Sequence, residues 1–382
     1  MKIALLTYST KPRGSVVHTL ELAEALTALG HTVCIYALDK TGDGFDRALS
    51  ATVRRVMAQP APSAIDALIH QRIAEFIAGL SADLAAGQRF DVYHAQDCIG
   101  ANALLALRAA GKIPAVVRTV HHVEDYASPY LQHCQDRSIR EPDLCLCVSD
   151  RWQTALKTDY GITAPRVLNG VNRQRFSPQP SGQEAALKAA YGLTGSPLHL
   201  TVGGIEPRKN TIRLLRAFAR VRSAQPQAQL VIAGGATLFD YQPYREEFFA
   251  TAQQLGMEVG RAVILPGVIP EADLPALYRC ADGFCFPSVK EGWGLVVLEA
   301  IAAGLPVLVS DQPPFTEFLT PAQAVLVSPE DEAAIAAGLI ELVHPQRSRD
   351  RVAQSQAMLD RYDWLASARL HLQAYGGLLG QG

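Results

Sequence analysis

Apolar positions along this chain fall into two alternating series. Short runs dense in Val, Ile and Leu alternate with longer stretches whose apolar residues recur every three or four positions. The first pattern fits strands buried on both faces, and the second fits amphipathic helices. In the first half, the runs at 2–8, 32–38, 91–95, 115–120, 143–148 and 165–168 predict strands. Helices are predicted over 15–29, 63–86, 97–110 and 150–160. The first helix is the clearest. Val16, Leu20 and Ala23 share a stripe, Leu22, Leu26 and Leu29 adjoin it, and Gly30 ends it. Asp97 and Asp150 stand where N-caps are expected.

A polar stretch rich in Gln, Pro and Gly runs over 173–197, with one short helix near Glu184–Tyr191. A second series follows, with strands at 198–203, 228–233, 261–265, 282–286, 306–309 and 323–327. Its helices are predicted near 211–223, 241–256, 271–280, 294–303, 313–319 and 330–343. Strand–helix alternation throughout argues for α/β layers on parallel sheets. The expected organisation is a doubly wound domain over 1–172, a linker over 173–197 and a second doubly wound domain over 198–345. Helices over 346–382 pack back across the linker, burying a face of Trp364, Leu365, Ala368, Leu372 and Tyr375. Ligands of open α/β sheets bind beyond the carboxyl ends of the strands. Two such domains therefore predict a cleft between them, with hinges at the linker and near 346–364.

Composition narrows the class. The chain has 382 residues, 48% hydrophobic and 19% charged, with a net charge of −2. That length suits two domains, and that charge gives no bulk attraction to nucleic acid. The longest apolar run, Leu295 to Val309, is interrupted by Glu299, Gly304 and Pro306, so no membrane span is predicted. Seven cysteines and no secretory segment before the first strand make a reducing cytoplasm the expected compartment.

The candidate chemistry sits where strands end. After 282–286 comes Glu291-Gly292-Trp293-Gly294-Leu295-Val296, and a second carboxylate, Glu299, stands eight positions after Glu291. A glycine-flanked helix start offers free N–H groups and a favourable dipole to phosphate. Glu299 lies among apolar neighbours, where a carboxylate needs a partner such as a vicinal diol or an internal salt bridge. Phosphate beside diol suggests a nucleotide sugar. After 198–203 comes Gly204, then Arg208 and Lys209, two cations before a helix expected to be capped by Asn210. They are placed to neutralise a diphosphate. After 115–120 come His121, His122, Glu124 and Asp125. One histidine there can contact a sugar hydroxyl or a phosphate, or move a proton. Neighbouring strand-end histidines face opposite ways, which argues against a shared metal ion. After 2–8, a loop leads through Gly14 into the first helix, without the G-x-G-x-x-G fingerprint of nicotinamide enzymes. Asn169-Gly170 closes the first domain. Cys145 and Cys147 share one face of a strand and read as core, not as a zinc site with Cys134 and His133. No Asp-x-Asp pair of the kind that holds a divalent ion on a diphosphate is found among these motifs, and no metal ligand set is assigned.

Taken together, these residues resemble the retaining GT-B glycosyltransferases of family 4, over nearly the whole chain. Glu291 to Glu299 resembles the family's Glu-x7-Glu motif, followed by Ala300-Ile-Ala-Ala-Gly-Leu-Pro-Val307. The Glu206-Pro-Arg208-Lys209-Asn210 loop, Asn169-Gly-Val, Gly267-Val268, Leu274-Pro-Ala-Leu-Tyr278 and Ala281-Asp282 are further landmarks. The resemblance implies a GT-B architecture and roles residue by residue. Glu299 would hold the ribose hydroxyls and Glu291 those of the donor sugar. Arg208 and Lys209 would neutralise the diphosphate. The N–H groups of Gly294, Leu295 and Val296 would bind sugar or phosphate. Val268 would lie by the nucleobase, Gly14 would approach the diphosphate, and His121 would contact the transferred sugar. Gly292, Trp293, Asn169 and Gly204 complete the implied donor site. Many relatives carry Arg where Gly204 stands, so one phosphate contact is absent or supplied from elsewhere.

The expected activity is metal-independent, retaining transfer of a hexose from a UDP-, GDP- or ADP-linked sugar to a hydroxyl acceptor, with no cofactor. That acceptor is a small molecule, a glycan or a lipid. Rival readings are an epimerase or phosphorylase on the same plan, or a catalytically silent nucleotide- or glycan-binding protein. Arg54, Arg55 and Arg72 offer a peripheral membrane contact.

Overall fold

The computed structural model describes residues 1–235 and 241–380. Two compact units are present. One comprises Met1–Gly170 with Tyr362–Gly382, the other Val171–Arg361. In the first, β1 (Lys2–Thr7), β2 (Thr32–Asp39), β3 (Thr52–Met57), β4 (Val92–Ala95), β5 (Val117–Val120) and β6 (Leu144–Cys147) form one sheet. Its order is β3-β2-β1-β4-β5-β6, and every pairing is parallel. In the second, β7 (Leu198–Val202), β8 (Gln229–Ala233), β9 (Val263–Gly267), β10 (Gly283–Phe286), β11 (Val307–Ser310) and β12 (Val325–Val327) are ordered β12-β11-β10-β7-β8-β9. Counted within each unit, both orders are 3-2-1-4-5-6. The order reverses between β1 and β4 and between β7 and β10, and loops leaving the strands there diverge to open a crevice.

The helices of the first unit are α1 (Gly14–Ala28), α2 (Ile65–Ala85), α3 (Cys98–Ala109), α4 (Pro129–Arg140), α5 (Asp150–Tyr160) and, from the chain's end, α13 (Trp364–Leu379). Those of the second are α6 (Glu184–Tyr191), α7 (Thr211–Ala224), α8 (Gln242–Gln254), α9 (Leu274–Cys280), α10 (Leu295–Ala302), α11 (Glu332–Leu342) and α12 (Pro345–Met358). Leu214, Leu215 and Phe218 of α7, Phe248 of α8 and Leu339 of α11 are fully buried in one core with residues of β8, β9 and β11. In the first unit α13 lies on α1, and a Cβ on Gly170 would come within 2.5 Å of the Trp364 backbone nitrogen, so only glycine fits.

Several elements differ from the sequence pattern. Strand β3 is an edge strand with Val56 its one buried residue, so its alternation is too thin to register. Helix α4 is mostly polar, although Ser128 caps it by accepting from the Leu131 N–H at 3.3 Å and Pro129 opens it. Residues 165–168 form a single bridge from Arg166 to Cys147, not a strand. Residues 313–319 hold only a 3-10 turn at Phe315–Glu317, preceded by Pro313 and Pro314. Ser149 caps α5, and Asp150 is its first helical residue. The 173–197 stretch belongs to the second unit, where Glu184 accepts from Arg279 Nε at 2.6 Å. The segment expected to cross back as one piece is divided, α12 lying with the second unit and α13 with the first.

Candidate functional site

At the reversal in the second unit, the loop after β7 meets the loop after β10. Asn210 sits at φ +60 and does not cap α7 with its side chain. Instead its Nδ2 donates to the carbonyls of Pro287 (3.0 Å) and Pro329 (2.7 Å), while Val289 N–H donates to the Arg208 carbonyl at 2.9 Å. These bonds hold Arg208 and Lys209 against Glu291. Lys209 Nζ lies 2.6 Å from Glu291 Oε1, and Arg208 Nη1 lies 3.3 Å from the same oxygen. Arg208 Nε also donates to Glu206 Oε2 at 3.0 Å. Lys209 Nζ stands 4.3 Å above the centre of the Phe286 ring.

Burial sets the charges of this cluster. Glu291 is 8% exposed. Burial opposes its ionisation, but Lys209 and Arg208 outweigh that and hold it below the usual carboxylate value. Lys209 is pushed down to about 8 by burial and then by Arg208, with Glu291 opposing. Two cations face two carboxylates, Glu291 and Glu206, and the Arg208 side chain keeps about a third of its surface open.

Helix α10 begins beside this cluster. Gly294 precedes it at φ +111, where a Cβ would meet Phe315 at 2.7 Å. The first bond of the helix runs from Val297 N–H to the Gly294 carbonyl at 2.9 Å, which leaves the N–H groups of Gly294, Leu295 and Val296 ahead of the intrahelical ladder. The Trp293 indole is buried and stacked on Phe318 with centroids 4.8 Å apart, so this residue offers the helix start its backbone and not its ring. Glu299, 7% exposed, accepts from the Tyr278 hydroxyl at 2.8 Å through Oε2. On the other side of β7, a Cβ on Gly204 would meet the Gly235 carbonyl at 2.6 Å, and one on Gly235 would meet Val268 Cγ2 at 2.5 Å. Val268 is 60% exposed, an apolar side chain left open next to glycine backbone.

The first unit places its candidates around the matching reversal. His121 Nε2 lies 3.0 Å from Gln96 Oε1, and its ring meets the edge of His18 at 4.8 Å between centroids. His18 Nδ1 lies 2.6 Å from Asn169 Oδ1. His94 bridges Tyr375 OH (2.7 Å) and Thr119 Oγ1 (2.8 Å), and His371 Nδ1 lies 2.8 Å from the Ser367 carbonyl. Burial drives all four imidazoles toward the neutral form. His18 falls to about 4 and His371 to about 3, while His94 and His121 lie well below the ordinary value. Gly14 opens α1 one turn before His18, and a Cβ there would meet nothing within 4 Å.

The candidates outside these clusters fare differently. Arg72 is buried and bonds both Glu75 oxygens at 2.8 Å, which removes it from any membrane-facing patch. Arg54 and Arg55 are about half exposed, beside Asp83 and Asp39 at 3.6 Å. His122 pairs with Glu124 at 2.7 Å. Cys134, Cys145 and Cys147 are buried.

Comparison with known proteins agrees with this fold. The family described as Glycosyl transferases group 1 matches residues 184–357, and Glycosyltransferase Family 4 matches residues 12–175. The chain belongs to the group 1 glycosyltransferases of GT-B fold. Among its relatives, the phosphatidyl-myo-inositol mannosyltransferase of Mycolicibacterium smegmatis is 28% identical, over 97% of this chain and 92% of that protein. Among solved structures, sucrose-phosphate synthase from Thermosynechococcus elongatus superposes with a TM-score of 0.82 at 22% identity, covering 100% of both chains. Anabaena HepE in complex with UDP-glucose gives 0.79 at 19% identity, over 99% of this chain and 100% of that one.

In this glycosyltransferase, sequence reasoning missed the residues that hold the named ones in place. Tyr278 was visible only as part of the Leu-Pro-Ala-Leu-Tyr landmark, with no role. Gln96 follows β4 by one residue, the same strand-end position that marks the other candidates. His18 interrupts an apolar helix one turn after Gly14, which was a usable signal. His94 gave none, since its partner Tyr375 lies 281 positions away, and His371 gave none, since its ring meets those of His18 and His94 across the unit.

Proposed function

We propose that this glycosyltransferase moves a hexose from a nucleotide-diphosphate sugar to a hydroxyl acceptor, with retention of configuration and without a metal ion. The observation that carries the reading is the Arg208–Lys209–Glu291 cluster beside the start of α10. Departure of the nucleotide builds negative charge on its diphosphate. Fixed cations and helix-terminal N–H groups stabilise that charge with little reorganisation. Arg208 and Lys209 then do the work a divalent ion would do, and Gly294, Leu295 and Val296 add backbone donors. Glu291 holds hydroxyls of the donor sugar, Glu299 those of the ribose, and Val268 lies by the base. Gly204 and Gly292 give backbone approach, and so does Gly14 in the first unit. His121, kept neutral and oriented by Gln96, contacts the transferred sugar, with Asn169 supporting it through His18. The departing phosphate takes the acceptor's proton, so no dedicated base is assigned.

A hexose is supported by the mannosyl and UDP-glucose names among the relatives, and a lipid-linked acceptor by the phosphatidyl-inositol name. UDP, GDP and ADP are the candidate nucleotides. The test is slow donor hydrolysis in excess chelator, with the released sugar followed by NMR before it mutarotates. Release of the donor's own anomer is expected. Release of the inverted anomer, or turnover that requires added divalent ion, would refute the mechanism.

A further inference from the structure

Glu299 sits in a buried helix, and what orients it comes from outside that helix. Tyr278, on α9, is fully buried and places its hydroxyl 2.8 Å from Glu299 Oε2, with the Val296 carbonyl at 3.3 Å. A phenol carries one proton, and a carboxylate at 2.8 Å takes that bond over a carbonyl at 3.3 Å. Burial, and then Glu299 itself, drive the Tyr278 hydroxyl well above its ordinary value, so it stays a donor. The ring is fixed on two sides, 5.8 Å edge-on from Phe176 and 5.7 Å from Phe284.

Phe176 leads to a second element of the same site. Its neighbour Arg175 stacks over the Phe176 ring at 4.9 Å. The Arg175 guanidinium donates to the Glu271 carbonyl at 2.7 Å and pairs with Glu271 Oε2 at 3.1 Å. Glu271 lies three residues after the exposed Val268. A short stretch, Arg175–Phe176, thus braces both the carboxylate given to the ribose and the loop given to the base.

We propose that Tyr278 is a positioning residue for nucleoside recognition: by holding Glu299 Oε2, it fixes the carboxylate in the rotamer that meets a ribose diol, and Phe176 holds Tyr278 in turn. Tyr278 touches no substrate and acts through Glu299. The proposal rests on the reading of Glu299 as the ribose-binding residue.

A carboxylate held in one rotamer distinguishes a diol from a single hydroxyl, whereas a mobile one adapts to either. UDP, GDP and ADP are titrated into the full-length protein by calorimetry, and the one that binds is compared with its 2′-deoxy form. The wild type is expected to favour the ribonucleotide about tenfold or more, and Glu299→Ala to erase the preference. Tyr278→Phe removes one oxygen from a packed ring and is expected to reduce the preference to under threefold, with an unchanged far-ultraviolet spectrum. Phe176→Leu is expected to reduce it partway, and it decides the question if Tyr278→Phe does not fold. A preference erased in Glu299→Ala but intact in Tyr278→Phe or, failing that, in Phe176→Leu would overturn the proposal and leave the site reading standing. A wild type with no preference, or one indifferent to Glu299→Ala, would overturn both.

Discussion

Around the reversal of the second sheet, two cations and a carboxylate touch. Around the matching reversal of the first, four imidazoles are kept neutral, three of them fully buried and His121 partly exposed. Both sheets have the same strand order, so topology alone does not set the chemistry at that point. The loops after β7 and β10 bring charges together and set two fixed cations beside a helix start, suited to a ligand with fixed negative charge. The segments around β4 and β5, with α1 and α13, bring uncharged donors and acceptors together, suited to hydroxyl groups. On the proposed reading, one crevice stabilises charge, and the other orients through neutral imidazoles.

The sharpest way to break that contrast is to remove one member of the charged cluster. Lys209→Ala is expected to lower turnover by about a hundred- to a thousandfold, the loss typical of one fixed donor to a developing anion. Glu291→Ala leaves Arg208 and Lys209 together without their shared carboxylate. It is expected to abolish transfer and to cost about 3–5 kcal/mol in a urea melt, as for one partner removed from a buried pair. Wild-type turnover in either variant would end the assignment.

The neutral cluster makes its own prediction through pH. His18 falls to about 4 and His371 to about 3 in the folded protein, against 6.5 for the free side chain. His199, buried in β7, also falls to about 4. Between pH 6.5 and 4 the unfolded chain binds more protons than the folded one, so stability is full above pH 6.5 and is lost as pH falls toward 4. Each unit of depression is worth about 1.4 kcal/mol per group. His371→Phe is expected to flatten the slope of urea-midpoint stability over this window. An unchanged slope would show that the imidazole does not stay neutral on folding.

Charge in the second unit predicts a milder effect on ligand binding. Lys209 is lowered to about 8 before a ligand arrives. A bound diphosphate raises it, so binding at pH 8 is expected to take up a fraction of a proton. Calorimetry in buffers of differing ionisation enthalpy reads that number, and zero uptake would place the phosphate away from Lys209. The smallest expected effect is that of Gly14→Ala. A Cβ at Gly14 meets nothing, so stability is expected to hold or to rise by up to about 1 kcal/mol, while donor KM rises if a ligand approaches there. Unchanged KM would remove Gly14 from the site.

Much of this was legible from the sequence, and the reasons are specific. Strands buried on both faces, such as β1 and β11, announce themselves by composition. The edge strand β3 buries one side chain and does not. Glu299 stood out because a carboxylate in an apolar run needs a partner, and Glu291 because it stands eight positions earlier at a glycine-flanked helix start. Arg208 and Lys209 stood out because two cations follow a strand. Their mutual contact was not legible, since it depends on Asn210 leaving its cap to tie two distant loops. Tyr278, Gln96, His18 and His94 were missed for the same reason. Each is defined by a partner remote in the chain, from 21 positions for Tyr278 and Glu299 to 281 for His94 and Tyr375.

The central claim is that the second unit binds a nucleotide diphosphate with its own cations in place of a metal. The most direct test is calorimetric titration of the full-length protein with UDP, GDP and ADP in excess chelator, alongside Lys209→Ala. Binding of one nucleotide without metal, weakened at least about tenfold in the variant, is the predicted result. No binding until a divalent ion is added, or equal binding by the variant, would contradict the claim.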